Sequence, residues 1–289
     1  MCLAAIAIGQ SKRWPLVIAS NRDEFFDRPA LPLSQWQSKS GQTMISGRDQ
    51  RAGGSWFGLT PKGRVALLTN VREPQALAPK NGLLSRGALV MDWLEGAMSA
   101  NEFMAATNSA AYAGFNLLVG DFESSSWHWI SNRKTLAMPE KNNTGWTSQA
   151  LTPGIYGLSN AALDTPWPKT IALKNSLHKA LKHGLNLETT AHEDEPMKAQ
   201  LWAALADRKP APTKELPNTG LSPELELALS SAFIEQATHG TEGYGTRVST
   251  LLSVQSSQQA GNWDVVMEEK THVLHGKPAL ARCNLHWQN

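Results

Sequence analysis

Only two cysteines, Cys2 and Cys283, occur in 289 residues, so no disulfide framework can hold this chain together. Neither sign of charge is in excess: 27 Lys and Arg stand against 25 Asp and Glu. The basic residues are dispersed and form no stripe that would track a phosphate backbone, so no nucleic-acid partner is expected. No apolar run approaches the roughly 18–20 residues a membrane span needs. The opening MCLAAIAIGQSKRW lacks the basic residues that precede the apolar region of a signal peptide. These absences lead to the expectation of a cytoplasmic protein without a transmembrane segment. Missing too are C-x-x-C-H, H-E-x-x-H, a P-loop and a Rossmann fingerprint, which excludes covalently attached haem and the chemistries those motifs serve. The eight histidines include no pair that reads as axial or metal ligands, and His272-x-x-His275 reads as a loop coincidence. No metal site is expected.

What is present is a globular composition, 41% hydrophobic and 18% charged, with eleven Trp against three Tyr. Trp brings large apolar area and one donor, which suits a core or a pocket for a flat ligand. Apolar runs at 2–8 and 16–20 joined by GQSKRWP predict a β-hairpin starting at Cys2. GGSWFGLT and RVALLT flank Pro61-Lys62-Gly63 and predict a second hairpin. Leu84, Ala88, Met91, Leu94 and Met98 give a helical stripe over 82–98, with a short helix over 101–107. Strands follow at 115–119, 126–130 and 154–159. Asp164-Thr165-Pro166 reads as the opening of a helix with Trp167, Ile171, Leu177 and Leu181 on its buried side, ending near Gly184. Met197, Leu201 and Leu205 mark another helix, and Ser222-Pro223-Glu224 opens a third carrying Leu225, Leu229 and Phe233. The proline-rich 208–220 stretch reads as an exposed loop, a candidate lid. Strands at 247–254, 263–269 and 279–285 close the chain. Strands at both ends with helices in central blocks favour antiparallel sheets covered by helices, an α/β (α+β) fold in one domain over residues 1–289.

Several polar clusters could carry chemistry. Met followed by a small residue is normally processed, which would leave Cys2 with a free α-amine beside its thiol. An amine of pKa about 7.7–8.0 can act as base for a thiol of about 8.5. Base and nucleophile then come pre-linked, with little orientational entropy to lose. Ser20-Asn21-Arg22-Asp23-Glu24 follows the second strand, and hairpin pairing brings it near Cys2. A nearby Arg favours thiolate, and a carboxylate can hold an ammonium. Asn70 and Asn160 each sit at a strand terminus, where an amide serves a turn or an oxyanion hole. Gly53-Gly54 suits either a β-turn or close backbone approach to a ligand. Arg247 leads into an apolar strand.

The ordered set of Met-Cys, NRDE, GGSWFGLT, LLTNVRE, GLSNAALDTPWPK and YGTRVSTLL, reaching from residue 2 to about 252, resembles the NRDE family, also called the transport and Golgi organisation protein 2 family. The resemblance implies an N-terminal-nucleophile hydrolase fold, a four-layer αββα sandwich, related to penicillin V acylases and bile-salt hydrolases. It implies Cys2 as nucleophile, Arg22 and Asp23 as the pair that poise it, Asn70 and Asn160 as substrate-facing amides, and Arg247 as a distal arginine. Asn21, Glu24, Gly54 and Trp56 become candidate ligand-binding residues. Those acylases place Arg three residues before Asp, whereas here Arg22 directly precedes Asp23, so the arginine's place falls to Asn21 or to Arg22. Glu24 has no counterpart.

For function, the resemblance implies first an intracellular haem-binding and haem-trafficking role, or handling of a related amphipathic acyl-CoA-type ligand. No cofactor is then required. Haem enters only as a transported ligand, with haem donor or acceptor proteins as partners. The alternative is a Cys2-dependent amidohydrolase or thioesterase acting on a small acyl substrate. A third class is a protein–protein adaptor with an inactive pocket.

Overall fold

The computed structural model describes residues 2–73, 82–133, 145–184, 195–235, 243–257, 259, 261–273 and 276–288. Its strands are β1 (Cys2–Ile8), β2 (Leu16–Phe25), β3 (Ala30–Gln37), β4 (Thr43–Asp49), β5 (Phe57–Leu59), β6 (Arg64–Asn70), β7 (Phe115–Asp121), β8 (Ser126–Ser131), β9 (Thr147–Ala150), β10 (Gly154–Leu158), β11 (Tyr244–Ser256), β12 (Asn262–Thr271) and β13 (Ala279–Gln288). The helices are α1 (Gly87–Glu95), α2 (Ala100–Ala106), α3 (Pro168–Gly184), α4 (Glu195–Leu205) and α5 (Pro223–Ala228). None of them is long and apolar enough to cross a membrane. All strand pairs are antiparallel, and the strands form two sheets, as expected of the α+β class. Contacts divide the chain into two compact units, each containing one sheet.

The first unit described here carries the six-stranded sheet, in the order β10-β1-β2-β11-β12-β13. The hairpin predicted at the start of the chain forms, and its register sets Cys2 opposite Arg22 and Ile8 opposite Leu16. One expectation is corrected: SNRDE does not follow β2 but lies inside it. Long β11 pairs with β2 from Leu16 to Phe25, so the polar stretch still has a partner strand for its backbone. Alternation then sends Leu3, Ala5 and Ala7 of β1 and Val17 and Ala19 of β2 to one face. There Leu173, Leu177, Ala180 and Leu181 of α3 pack, with Met197, Leu201 and Leu205 of α4. The alanines keep this face low and let the helices approach closely.

Two features of α3 differ from the sequence reading. The helix starts at Pro168, whose missing N–H costs nothing in a first turn, and not at Pro166. Asp164 does not cap it; with φ of 57° it accepts from the Gly157 N–H at 2.7 Å and from Lys174 Nζ at 2.5 Å. The buried side is phased on Leu173 and Leu177, so Ile171 is left 44% exposed. Near the third predicted helix, Ser222 caps α5 as expected, but the helix ends at Ala228, and Phe233 is buried outside it. The 208–220 stretch is mostly exposed and includes a short 3-10 turn at Thr213–Glu215.

The second unit holds the seven-stranded sheet, β3 through β9 in sequence order. Its hairpin at β5 and β6 turns through Gly63 at φ 83°, a left-handed conformation that favours glycine. Strands β3, β4 and β9 were not expected. β3 is an edge strand with an irregularity between Leu31 and Ser34, and this is where Pro32 is tolerated. The helix predicted over 82–98 is confined to α1 and buries Leu89, Val90, Trp93 and Leu94. Leu84, assigned to its stripe, lies outside the helix and is 57% exposed. Ser99 and Glu102 form a reciprocal capping box on α2. Phe103 of α2 and the α1 residues share a core with Leu117, Val119 and Ile130.

Candidate active site around Cys2

Cys2 begins β1 at one end of the six-stranded sheet and is only partly exposed. Residues paired across strands share a face, so Arg22 stands on the same face as Cys2 while Asn21 points to the other. Asn21 is 1% exposed, and its Nδ2 donates to the carbonyls of Leu205 and Ala232, both at 2.8 Å. It ties the end of α4 and the 230–234 segment to β2. The structure thus puts Arg22, and not Asn21, beside the thiol.

Asp23 lies one residue further, where β1 begins. Its backbone N–H hydrogen-bonds the Cys2 sulfur and favours the thiolate. The thiol is nevertheless pushed up from its ordinary value, first by burial; the Asp23 carboxylate adds to this and Arg22 opposes it. The arginine favours thiolate as the sequence suggested, but desolvation outweighs it. Glu24 pairs with Arg22 at 3.6 Å.

Arg247 owes its place to an irregularity. β11 pairs Thr246 with Asp23 and Val248 with Arg22, so Arg247 is one extra residue, a β-bulge. Its Nη1 donates to the carbonyls of Phe25 at 2.8 Å and Phe26 at 3.0 Å. Burial lowers its pKa, Arg22 adds to that, and Glu24 and Asp27 act against it. Arg22, Arg247, Glu24 and Asp27 thus form one charged group at the end of β2.

Two residues that sequence reasoning missed complete this end of the sheet. Thr246 Oγ1 donates to Asp23 Oδ1 at 2.7 Å and accepts from the Ile234 N–H at 2.8 Å. Ser159 Oγ donates to the Cys2 carbonyl at 2.9 Å. Both stand next to residues that were singled out, Thr246 before Arg247 and Ser159 before Asn160. Adjacency was their only signal.

The remaining candidates lie in the unit with the seven-stranded sheet. Asn70 ends β6, and Asn160 Nδ2 donates to its carbonyl at 2.8 Å. The Asn160 carbonyl accepts from Arg72 N–H at 2.7 Å. The two asparagines are therefore joined to each other, Asn160 being 1% exposed. Gly54 packs against the backbone of Gly87 at the start of α1, where a Cβ would collide. Trp56 is 7% exposed, and its ring covers Gly47 in the same way. Among the described residues no group of His, Cys, Asp and Glu could hold a metal ion. His272 bonds Ser249 Oγ through Nε2 at 2.9 Å, and His275 lies outside the described residues.

The family model described as transport and Golgi organisation 2 matches residues 1–271. A Bos taurus transport and Golgi organization protein 2 homolog is 32% identical over 248 residues, covering 83% of this chain and 82% of its own. The Homo sapiens homolog is 29% identical over 246 residues, with 83% and 82% covered. Among solved structures, a Caenorhabditis elegans orthologue of N-acylethanolamine-hydrolyzing acid amidase matches with a TM-score of 0.42 and 12% identity, covering 69% of this chain and 85% of that one. A variant of the conjugated bile acid hydrolase of Clostridium perfringens matches with 0.45 and 8%, covering 97% and 92%. The match over residues 1–271 and the 32% identical relative establish that this chain belongs to the transport and Golgi organisation 2 family.

Proposed function

We propose that Cys2 is an N-terminal nucleophile that transfers an acyl group from a small amide or thioester to water. The observation that supports this most is the placement of the thiol: first residue of β1, register partner of Arg22, its sulfur bonded by the Asp23 N–H. Removal of Met1 would put an α-amine on the same residue. That amine takes the thiol proton as sulfur attacks the carbonyl, and the tetrahedral intermediate collapses as the ammonium returns the proton to the departing amine or thiol. The resulting thioester on Cys2 is attacked by water, whose proton the amine accepts, and a carboxylic acid leaves. The raised thiol pKa fits this scheme, because the sulfur needs to be deprotonated only during attack. No cofactor takes part.

A second reading rests on the family's description, which names transport: the same site holds haem or an amphipathic acyl-CoA-type ligand and passes it on. Two experiments separate the readings. A panel of amides and thioesters shows turnover with the wild-type protein that falls to background in Cys2→Ala; full activity in the variant contradicts the nucleophile. Haem added to purified protein gives a stoichiometric, saturable Soret shift under the second reading, and its absence removes that reading.

A further inference from the structure

The end of β2 is held from the side opposite β1 by a short relay. Thr246 is 1% exposed, and its hydroxyl has both roles filled, accepting from Ile234 N–H and donating to Asp23 Oδ1. Its own N–H donates to the Ile234 carbonyl at 2.8 Å, so Thr246 and Ile234 are joined twice. The carbonyl of Asp23 accepts from the Tyr244 hydroxyl at 2.8 Å. The bulge beside Thr246 is bracketed by the residue just after β12, where the His272 N–H donates to the Arg247 carbonyl at 2.8 Å and the His272 ring meets Ser249. The same ring packs edge-on against Phe233, one residue before Ile234.

A hydroxyl whose acceptor role is taken by a backbone N–H has one proton left and one direction in which to give it. Here that direction is the Asp23 carboxylate, so β11 holds one of the carboxylate oxygens in place. We infer that Thr246 is a positioning residue, which orients the Asp23 carboxylate at the start of β1 and, through Asp23, sets the electrostatic environment of the Cys2 thiol. The inference rests on the proposed role of Cys2, and it assigns to the 231–234 segment the support of that site.

The test follows the pH dependence of Cys2 alkylation by iodoacetamide, mapped by peptide mass spectrometry in full-length protein with Cys283→Ser. The Asp23 charge opposes ionisation of the thiol, so Asp23→Asn moves the midpoint to lower pH. Thr246→Val, which keeps shape and removes the hydroxyl, moves it the same way by less, with about two- to fivefold faster alkylation at a fixed pH below the midpoint, a few tenths of a pH unit. The double variant moves no further than Asp23→Asn alone, because Thr246 acts through Asp23. Thr246→Ser keeps the wild-type midpoint, and so does Tyr244→Phe, which removes only the bond to the Asp23 carbonyl. A structural role alone lowers the melting temperature of Thr246→Val and leaves its midpoint in place; that result overturns the inference, as does a midpoint unmoved by Asp23→Asn. Failure of the nucleophile reading looks different: Cys2 in the wild-type chain then alkylates no faster than Cys283, while the midpoints are still read at higher pH.

Discussion

The two sheets use their polar residues in opposite ways. In the seven-stranded sheet the candidate residues stand at strand ends and turns, where Asn160 bonds the Asn70 carbonyl and Gly54 lets α1 approach. In the six-stranded sheet a run of five polar residues occupies a strand paired on both sides, and a thiol, guanidinium groups and carboxylates meet at one end of it. Polar side chains gathered at the ends of paired strands bring desolvation costs, and the shifts of Cys2 in β1 and Arg247 in β11 reflect them. A sheet that needed only stability would gain from apolar residues at those positions. Under the proposed reading, the nucleophile and its charged neighbours belong to the six-stranded sheet.

Variants sharpen that contrast, and the largest expected effect is on chemistry. Cys2→Ala removes acyl transfer to background, and Arg22→Leu lowers it by about tenfold or more, since one charged group near a reacting centre contributes at that level; product assays on matched, folded proteins check both. Phe103→Ala, in the core under the other sheet, costs about 3–5 kcal/mol in a urea midpoint measurement and leaves the intrinsic alkylation rate of Cys2 unchanged. Asn21→Ala strands two buried carbonyls and costs about 2–3 kcal/mol. Ser99→Ala removes the cap of α2 for about 1 kcal/mol.

A further effect is in pH dependence. His272 is lowered from its usual 6.5 to about 4 by burial, with Lys270 and Arg208 acting in the same direction. Its contribution is fully present above its unfolded value and is lost as pH falls from about 6.5 toward 4, because the unfolded chain binds the proton more readily. His272→Gln flattens the stability profile over that window in thermal melts. A profile identical to wild type contradicts the half-buried, neutral imidazole.

Much of the six-stranded sheet was legible because its strands are apolar and end in turn residues, as with CLAAIAI and LVIAS. What the sequence could not supply was register and phase. Arg22 and Asn21 are neighbours in the chain and opposites in space, and only pairing with Cys2 separates them. Ile171 and Leu173 fit helical spacings equally well until packing on Leu3, Ala5 and Ala7 selects Leu173. β3 escaped notice because Pro32 and alternating polar residues disguise an edge strand, which needs little apolar surface. The bulge at Arg247 and the hydroxyl of Thr246 depend on a third strand meeting β2, contacts more than 200 positions apart in the chain. No local pattern encodes them.

The most direct test of the reactive end of the six-stranded sheet is covalent trapping. Full-length protein is treated with a slowly hydrolysed acyl thioester, quenched in acid, and weighed intact and as peptides. The account predicts a mass lacking Met1, with a stoichiometric acyl adduct on Cys2 and none on Cys283. An intact chain still carrying Met1, or acylation spread equally over both cysteines, contradicts it.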